Sequence, residues 1–402
     1  VWTLDEAERS CVACGSSGAP GGQELTMRVG IDLTALIARP TGVDRYIIGM
    51  ISSLRRFAGH EYVLFINAED RKRTAGMLDA NTRAVVLSRR WRAARLFFQQ
   101  VLLPLAVQSM RIDVVHSPAF IMPWHRGRAG HLLTVHDMTS FLLPRCHPGS
   151  RRGRLYEAAV RGSVRRADLV SVPSHSVRRD VLRLVPDVQP GRIRAIPCGI
   201  DEAFVPRDAG EVATVLDRLA IRWPYILYVG TLDPRKNLLR LVESYARLVE
   251  RSSVPEHLVL AGQFGWSVGE LLESLRLPAL RDRVHVLGYV AEQDLPYVYS
   301  GARLFAYPSL LEGFGFPPLE AMACGVPVVA SDSSSLRDNL EGAAELVRPE
   351  DVQSLAVAME RLLTDEPTRI RYVAAGFERA ANFRWEKFAQ ATAACYEEIG
   401  RR

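Results

Sequence analysis

Two short stretches of this chain set charged side chains beside glycines and prolines, the combination needed to hold a phosphate or a sugar. The first is Tyr228-Val229-Gly230-Thr231-Leu232-Asp233-Pro234-Arg235-Lys236-Asn237, an apolar run that ends in two cations. The second is Glu312-Gly313-Phe314-Gly315-Phe316-Pro317-Pro318-Leu319-Glu320, which runs on through Ala321-Met322-Ala323-Cys324-Gly325. Gly313 and Gly315 let the backbone approach a ligand closely, and Pro317-Pro318 suits the first turn of a helix, where a missing N–H costs nothing. Gly325 then ends that helix before the next strand. A strand, a glycine turn and a helix N-terminus together make an anion site through exposed N–H groups and the helix dipole.

Arg235 and Lys236 fall at the end of a strand and the beginning of a helix, where the dipole disfavours a cation. A compensating anion is expected there, and a diphosphate would supply it; a solvated basic loop is the plainer alternative. Glu312 lies in the loop before the second helix and Glu320 near its beginning. A carboxylate beside a phosphate site is electrostatically wasteful unless it binds hydroxyls, and ribose and hexose hydroxyls fit that need. Taken alone, the two glutamates read as a cap and a solvated helix residue. Beside Arg235 and Lys236 they read as part of a sugar-nucleotide site.

From about Met27 to its end the chain resembles the retaining GT-B glycosyltransferases known as glycosyl transferases group 1, or glycosyltransferase family 4. The resemblance rests on Gly230 to Asn237 and Glu312 to Glu320, in that order and at that separation. It implies that Arg235 and Lys236 hold the donor diphosphate, that Glu312 contacts the transferred sugar and that Glu320 holds the ribose. It further implies that Gly313, Phe314, Gly315 and Phe316 present backbone N–H groups, with Ser309 and Leu319 lining the nucleotide. His136, in Thr134-Val135-His136-Asp137, resembles the histidine near the reacting sugar; by itself it reads equally as a structural histidine at a strand end.

The turn Thr41-Gly42-Val43-Asp44-Arg45-Tyr46 resembles the family's phosphate-facing glycine turn, which makes Gly42 a donor-site candidate. Asp44 stands where a second glycine is common, and Thr231 where an arginine is common, so Arg235 carries more of the phosphate charge. The resemblance also implies that the last helix, within residues 384–402, packs back on the first domain. No Asp-x-Asp triplet occurs, so the expectation is a metal-independent enzyme in which Arg235, Lys236 and a helix N-terminus neutralise the diphosphate. His136, Glu312 and Lys236 are then the residues closest to the chemistry. Attack from the face of the departing phosphate, and hence retention, follows from the resemblance alone.

The elements that must carry these residues alternate. Arg28–Leu33, Tyr62–Ile66, Ile112–His116, Leu132–Val135, Leu169–Val172 and Ile193–Ile196 read as strands, with Val43–Phe57 and Trp91–Val107 as helices between them. A second series follows from Tyr225–Val229 through the helix Asn237–Glu250 and the strands His257–Leu260, Val284–Leu287, Leu304–Tyr307, Val326–Ala330 and Glu345–Val347. Alternation of this kind implies parallel sheets and right-handed crossovers. The fold class is therefore α/β, two Rossmann-like doubly wound domains facing each other across a cleft. Residues 27–205 form the first and residues 206–383 the second.

Composition narrows the classes further. A 402-residue chain with 48% hydrophobic and 24% charged residues is globular, and it has no apolar run near the roughly 20 residues that span a bilayer. The net charge of +6 favours acidic partners, yet no zinc-finger, RNP or basic-zipper pattern points to nucleic acid. Residues 1–26 carry no cationic start and apolar core, so they read as a disordered extension and not a secretory signal. Six scattered cysteines suit a reducing cytoplasm, and the lone Cys11-x-x-Cys14 pair is weak evidence for a metal. Arg89, Arg90, Arg92 and Arg95 precede an apolar helix that could lie on the inner membrane surface or simply pack on the first sheet.

The expectation is transfer of a hexose, with GDP-mannose as donor and no other cofactor, to a saccharide or lipid-linked acceptor in cell-surface polysaccharide synthesis. The alternatives are a nucleotide-sugar epimerase or phosphorylase on the same fold, and a catalytically silent sugar-nucleotide-binding subunit. Nicotinamide chemistry is disfavoured, because no G-x-G-x-x-G follows a strand.

Overall fold

The structure is a computed structural model, and it describes residues 27–400 except 35, 37–41, 57–58, 89–96, 147–150, 253 and 276–279. Two parallel sheets form its core. The first has the order β3-β2-β1-β4-β5-β6-β7, built from Met27–Asp32 (β1), His60–Asn67 (β2), Thr82–Ser88 (β3), Val114–Ser117 (β4), Gly130–Thr134 (β5), Leu169–Val172 (β6) and Ile193–Ala195 (β7). The second has the order β10-β9-β8-β11-β12-β13, from Tyr225–Val229 (β8), His257–Ala261 (β9), Val284–Gly288 (β10), Leu304–Tyr307 (β11), Val328–Ser331 (β12) and Glu345–Val347 (β13). Every recorded pairing within them is parallel. The central strands are apolar runs because helices cover both faces.

The strand order reverses between β1 and β4 in the first sheet and between β8 and β11 in the second. At such a point the flanking crossovers leave on opposite faces, so a crevice opens beyond the strand ends. Arg235 and Lys236 follow β8 and Glu312 follows β11, so the second sheet's reversal brings the two motifs together. The sequence reading names no strand between residues 67 and 112, yet Thr82–Ser88 pairs with β2 as an edge strand. The helix read over Trp91–Val107 begins outside the described residues; its described part is a π-helical turn, Phe98–Leu102, followed by α-helix Leu103–Ser109.

Two helices tie the ends of the chain together. Helix α1 (Gly42–Leu54) buries Tyr46, Ile47, Met50, Ile51 and Leu54, one face at helical spacing. The last helix, Trp385–Gly400, buries Phe388, Ala389, Thr392, Tyr396 and Ile399 and lies against α1, β4 and β5 of the first domain. A side-chain carbon on Gly49 of α1 would stand 2.1 Å from the Trp385 ring, so only glycine lets the two helices meet this closely.

A buried polar chain locks this return. His116 Nδ1 lies 2.7 Å from the Tyr396 hydroxyl, and its Nε2 lies 2.8 Å from Thr134 Oγ1, which pairs in turn with the Tyr46 hydroxyl at 3.0 Å. Burial, with His136 nearby, pushes the His116 pKa down to about 3, so the ring stays neutral, donating through one nitrogen and accepting through the other. Tyr396→Phe leaves a buried ring nitrogen without its partner and should lower the free energy of urea unfolding by about 1–3 kcal/mol. An unchanged value would show that this chain does not hold the last helix.

Candidate active site

The second domain supplies the charged centre. After β8 the chain turns through Pro234–Lys236, where Asp233 Oδ1 accepts from the Arg235 N–H at 3.0 Å. Asn237 then adopts φ 60°, a left-handed conformation that asparagine tolerates, and opens helix α2 (Leu238–Arg251). Its Nδ2 donates to Pro308 O at 3.0 Å and Pro349 O at 2.6 Å, tying this turn to the end of β11. The turn thereby aims both cations at Glu312.

Glu312 is 7% exposed, and each of its carboxylate oxygens receives a cation. Lys236 Nζ donates to Oε1 at 2.6 Å and Arg235 Nη1 lies 2.8 Å from Oε2. Ser309 Oγ donates to Oε1 at 2.5 Å. The Tyr307 hydroxyl accepts from Lys236 Nζ at 2.7 Å and donates to Oε1 at 3.2 Å. Burial alone would raise the Glu312 carboxyl, but the charges of Arg235 and Lys236 and the bonds from Lys236 and Ser309 outweigh it and hold the pKa at about 2. Lys236 is drawn below the ordinary lysine range, first by burial and then by Arg235, while Glu312 supports its charge.

In this structure the anion facing the two cations is the protein's own Glu312, whose carboxylate is met by cations and hydroxyls. The backbone around it is equally fixed. Glu312 N–H donates to Ser334 Oγ at 2.9 Å, Ser335 Oγ donates to Glu312 O at 2.8 Å, and Asn339 Nδ2 donates to Phe314 O at 2.7 Å.

Gly315, at φ 91°, precedes helix α3 (Phe316–Ala323), whose first turn contains Pro317 and Pro318. Glu320 on this helix is 2% exposed. Its Oε2 accepts from the Tyr299 hydroxyl at 2.8 Å, and its Oε1 from Arg45 Nη1 of the first domain at 2.6 Å. Arg45, Glu320, Phe316 and Glu292 border a cavity of about 750 Å3 between the domains. Leu319 and the Phe314 side chain are buried in the hydrophobic core and do not border this cavity.

The first domain contributes His136, at the end of β5. Its Nε2 lies 2.7 Å from Pro118 O, which can only accept, so Nε2 carries the proton; burial lowers the ring's pKa and leaves Nδ1 as an acceptor. A side-chain carbon at Gly313 would stand 1.8 Å from His136 O, so these two backbones touch across the cleft and Gly313 is required there. A second cavity, of about 540 Å3, lies beside this contact and is bordered by Asp137, Asp233 and Arg235. Gly42 opens α1 with nothing within 4 Å of a side-chain carbon, while Asp44 pairs with Arg73 at 3.1 Å.

The structure thus gathers Arg235, Lys236, Ser309 and Glu312, sets Gly313 against His136, and places Glu320 with Arg45. Sequence reasoning missed Arg45, Tyr299 and Tyr307. Their signal was weak: a tyrosine in a strand reads as core, and the partner of Arg45 lies 275 residues away.

Residues 40–204 match the family described as Glycosyltransferase Family 4 and residues 221–379 the family described as Glycosyl transferases group 1. O-antigen chain mannosyltransferase B of Escherichia coli is 33% identical over 293 residues, covering 73% of this chain and 76% of that protein. Sucrose-phosphate synthase of Thermosynechococcus elongatus superposes with a TM-score of 0.73 at 23% identity, over 93% of this chain and 99% of that one. HepE of Anabaena, solved with UDP and glucose, gives a TM-score of 0.72 at 17% identity, over 93% and 100%. With one family matched on each domain and a relative one-third identical along most of its length, the chain belongs to the GT-B glycosyltransferases of the group 1 and family 4 type.

Proposed function

We propose that this glycosyltransferase moves a hexose, with retention, from a nucleoside-diphosphate sugar to a saccharide or lipid-linked acceptor in cell-surface polysaccharide synthesis. GDP-mannose is the proposed donor, a reading supported by the mannosyltransferase among its relatives. The observation that carries the proposal is the pair of cations, buried Lys236 and partly buried Arg235, fixed on Glu312 at the strand-order reversal of the second sheet.

As the bond from C1 to the diphosphate breaks, its electron pair leaves with the diphosphate, and the growing charge meets cations already held in place. Such preorganised charge in a water-poor site is worth far more than in solution. Arg235 and Lys236 serve where a metal serves in other transferases. The acceptor oxygen forms the new bond to C1 on the same face, and its proton passes to the departing phosphate oxygen. Glu312 acts as the counter-ion that positions the cations. Glu320 exchanges the N–H donors of Arg45 for ribose hydroxyls.

Lys236→Ala removes charge stabilisation needed mainly in the transition state, so kcat should fall about 100- to 1,000-fold with a smaller change in donor KM. Glu320→Ala removes binding common to ground and transition states, so KM for the donor should rise while kcat changes little. Full turnover in Lys236→Ala, or lost turnover with intact donor affinity in Glu320→Ala, contradicts these roles. Among GDP, UDP, dTDP and ADP, GDP should raise the unfolding temperature most, since a ligand at about 100 times its Kd adds about 2.7 kcal/mol to stability.

The same reading places the protein against the inner membrane surface. Among the described residues no helix is long and apolar enough to cross a membrane. Phe97, Val101 and Leu105 recur every four residues along one helix face and are 56%, 41% and 58% exposed. Trp124, more exposed still, donates its backbone N–H to Gln100 Oε1 of that helix at 2.6 Å, and its ring lies under the Arg166 guanidinium. An apolar stripe edged by tryptophan and arginine suits the headgroup boundary of an anionic bilayer; Arg89, Arg90, Arg92 and Arg95 lie outside the described residues. The protein should co-sediment with phosphatidylglycerol vesicles at low salt, and Phe97→Ser with Leu105→Ser should abolish this. Failure of the wild type to sediment removes the membrane from the account.

A further inference from the structure

The edge of the second sheet that faces away from the cleft carries a cavity of its own. Trp223-Pro224 precedes β8, Pro255-Glu256 precedes β9 and Arg303 precedes β11, and with Leu363 these residues border about 500 Å3. Arg235 and Glu312 follow β8 and β11, so the length of a strand separates this cavity from the cations. For the five residues of β8 that is roughly 17 Å. The volume falls within the range of small-molecule sites, roughly 300–1,000 Å3.

Its wall holds a charged pair whose hydrogen-bonding capacity is unspent. Glu256 is 4% exposed, yet among the described residues nothing donates a hydrogen bond to its carboxylate. Arg303 Nε stands 3.8 Å from Oε1, too far for a hydrogen bond, and is itself buried without an acceptor. The backbone beside the pair is fully tied by comparison. Glu256 O accepts from the Tyr245 hydroxyl of α2 at 2.7 Å and from Arg283 Nη2 at 3.2 Å. His257 N–H donates to Pro224 O at 2.8 Å and Arg303 N–H to Tyr225 O at 2.9 Å. A buried carboxylate without a donor is costly and uncommon in native proteins.

The two charges select the group that can answer them. An ammonium would satisfy Glu256 but be repelled by Arg303, and a phosphate would satisfy Arg303 but be repelled by Glu256. A neutral hydroxyl donates to the carboxylate and accepts from the guanidinium, so it serves both. The rim adds an apolar face. Trp223 is 63% exposed, and Pro224, Pro255 and Leu363 continue its surface into the cavity. An aromatic plane of this kind packs against the flat C–H face of a sugar ring. A ligand with hydroxyls on its edge and one apolar face is a pyranose.

We infer that this cavity binds one sugar ring of a saccharide, stacked on Trp223, with its hydroxyls shared between Glu256 and Arg303. A glycan held here sits on the outer edge of the second domain, out of reach of Arg235 and Lys236. The site is therefore distinct from the cleft, and the inference does not rest on the transfer chemistry proposed above.

Fluorine NMR on the full chain labelled with 5-fluorotryptophan tests this at the site itself, with the Trp223 resonance assigned by its loss in Trp223→Phe. Mannotriose or maltotriose should shift that resonance along a saturable curve. Glu256→Gln and Arg303→Gln, each with an unchanged unfolding midpoint, should raise the apparent Kd about tenfold, the loss of one charge-assisted hydrogen bond. Butylammonium and inorganic phosphate at the same concentrations should leave the resonance in place. If neither trisaccharide moves it, the pair is answered by water alone and the inference is overturned. A shift with butylammonium or phosphate in place of the sugars, or an unchanged Kd in both variants, overturns it as well. Should Glu256→Gln fail to fold, Arg303→Gln decides alone, since its side chain is 37% exposed. The readout contains no turnover, so it stands or falls separately from the proposed donor and acceptor.

Discussion

One carboxylate holds the charged centre together. Glu312 receives Lys236 on one oxygen and Arg235 on the other, with Lys236 and Glu312 buried and Arg235 partly exposed. Burying a charge costs several kcal/mol unless it is paired and bonded, and removing one partner exposes that cost in full. The neighbouring structure serves the pair: Tyr307 and Ser309 complete the bonds, Asn237 fixes the turn that bears the cations, and Ser334 and Ser335 fix the backbone of Glu312. Asp233 Oδ2, 4.0 Å from Arg235 Nη2, is a second carboxylate beside the pair, so the cations are matched by charges of the protein's own at the strand-order reversal.

The domains are bound to one another through the same motif. Gly313, the residue after Glu312, has no room for a side chain because His136 O occupies the space. Eight residues along from Glu312, Glu320 accepts from Arg45 across the cleft. The last helix closes the frame by returning to α1, β4 and β5, so the end of the chain stiffens the domain that faces the cations. Cleft geometry therefore depends on small residues at crossing points, Gly49 under Trp385 and Gly313 under His136.

Much of this was legible in the sequence, and the failures have physical reasons. Strands buried on both faces read as apolar runs, so β1, β8 and β11 were evident, while the edge strand Thr82–Ser88, whose apolar run is the four residues Ala84 to Leu87, went unnamed. The two motifs were legible because glycine and proline mark their turns. The partner of the cations was not, because a dipole argument says that an anion is needed and does not say whose. Leu319 and Glu320 are neighbours in sequence, yet one helical step of about 100° turns the first into the core and the second toward the cleft. Arg45 was invisible for a simpler reason: contacts across a domain boundary leave no local pattern.

The central claim is that Glu312 and Lys236 form one energetic unit, and a double-mutant cycle on unfolding tests it most directly. Lys236→Met and Glu312→Gln, each made alone, should cost about 3–5 kcal/mol by leaving a buried charge unpaired. The double variant should be less destabilised than the sum of the two by about 1–3 kcal/mol, the signature of residues in direct contact. If the two losses simply add, the pair is not the anchor of this site and the account built on it is wrong.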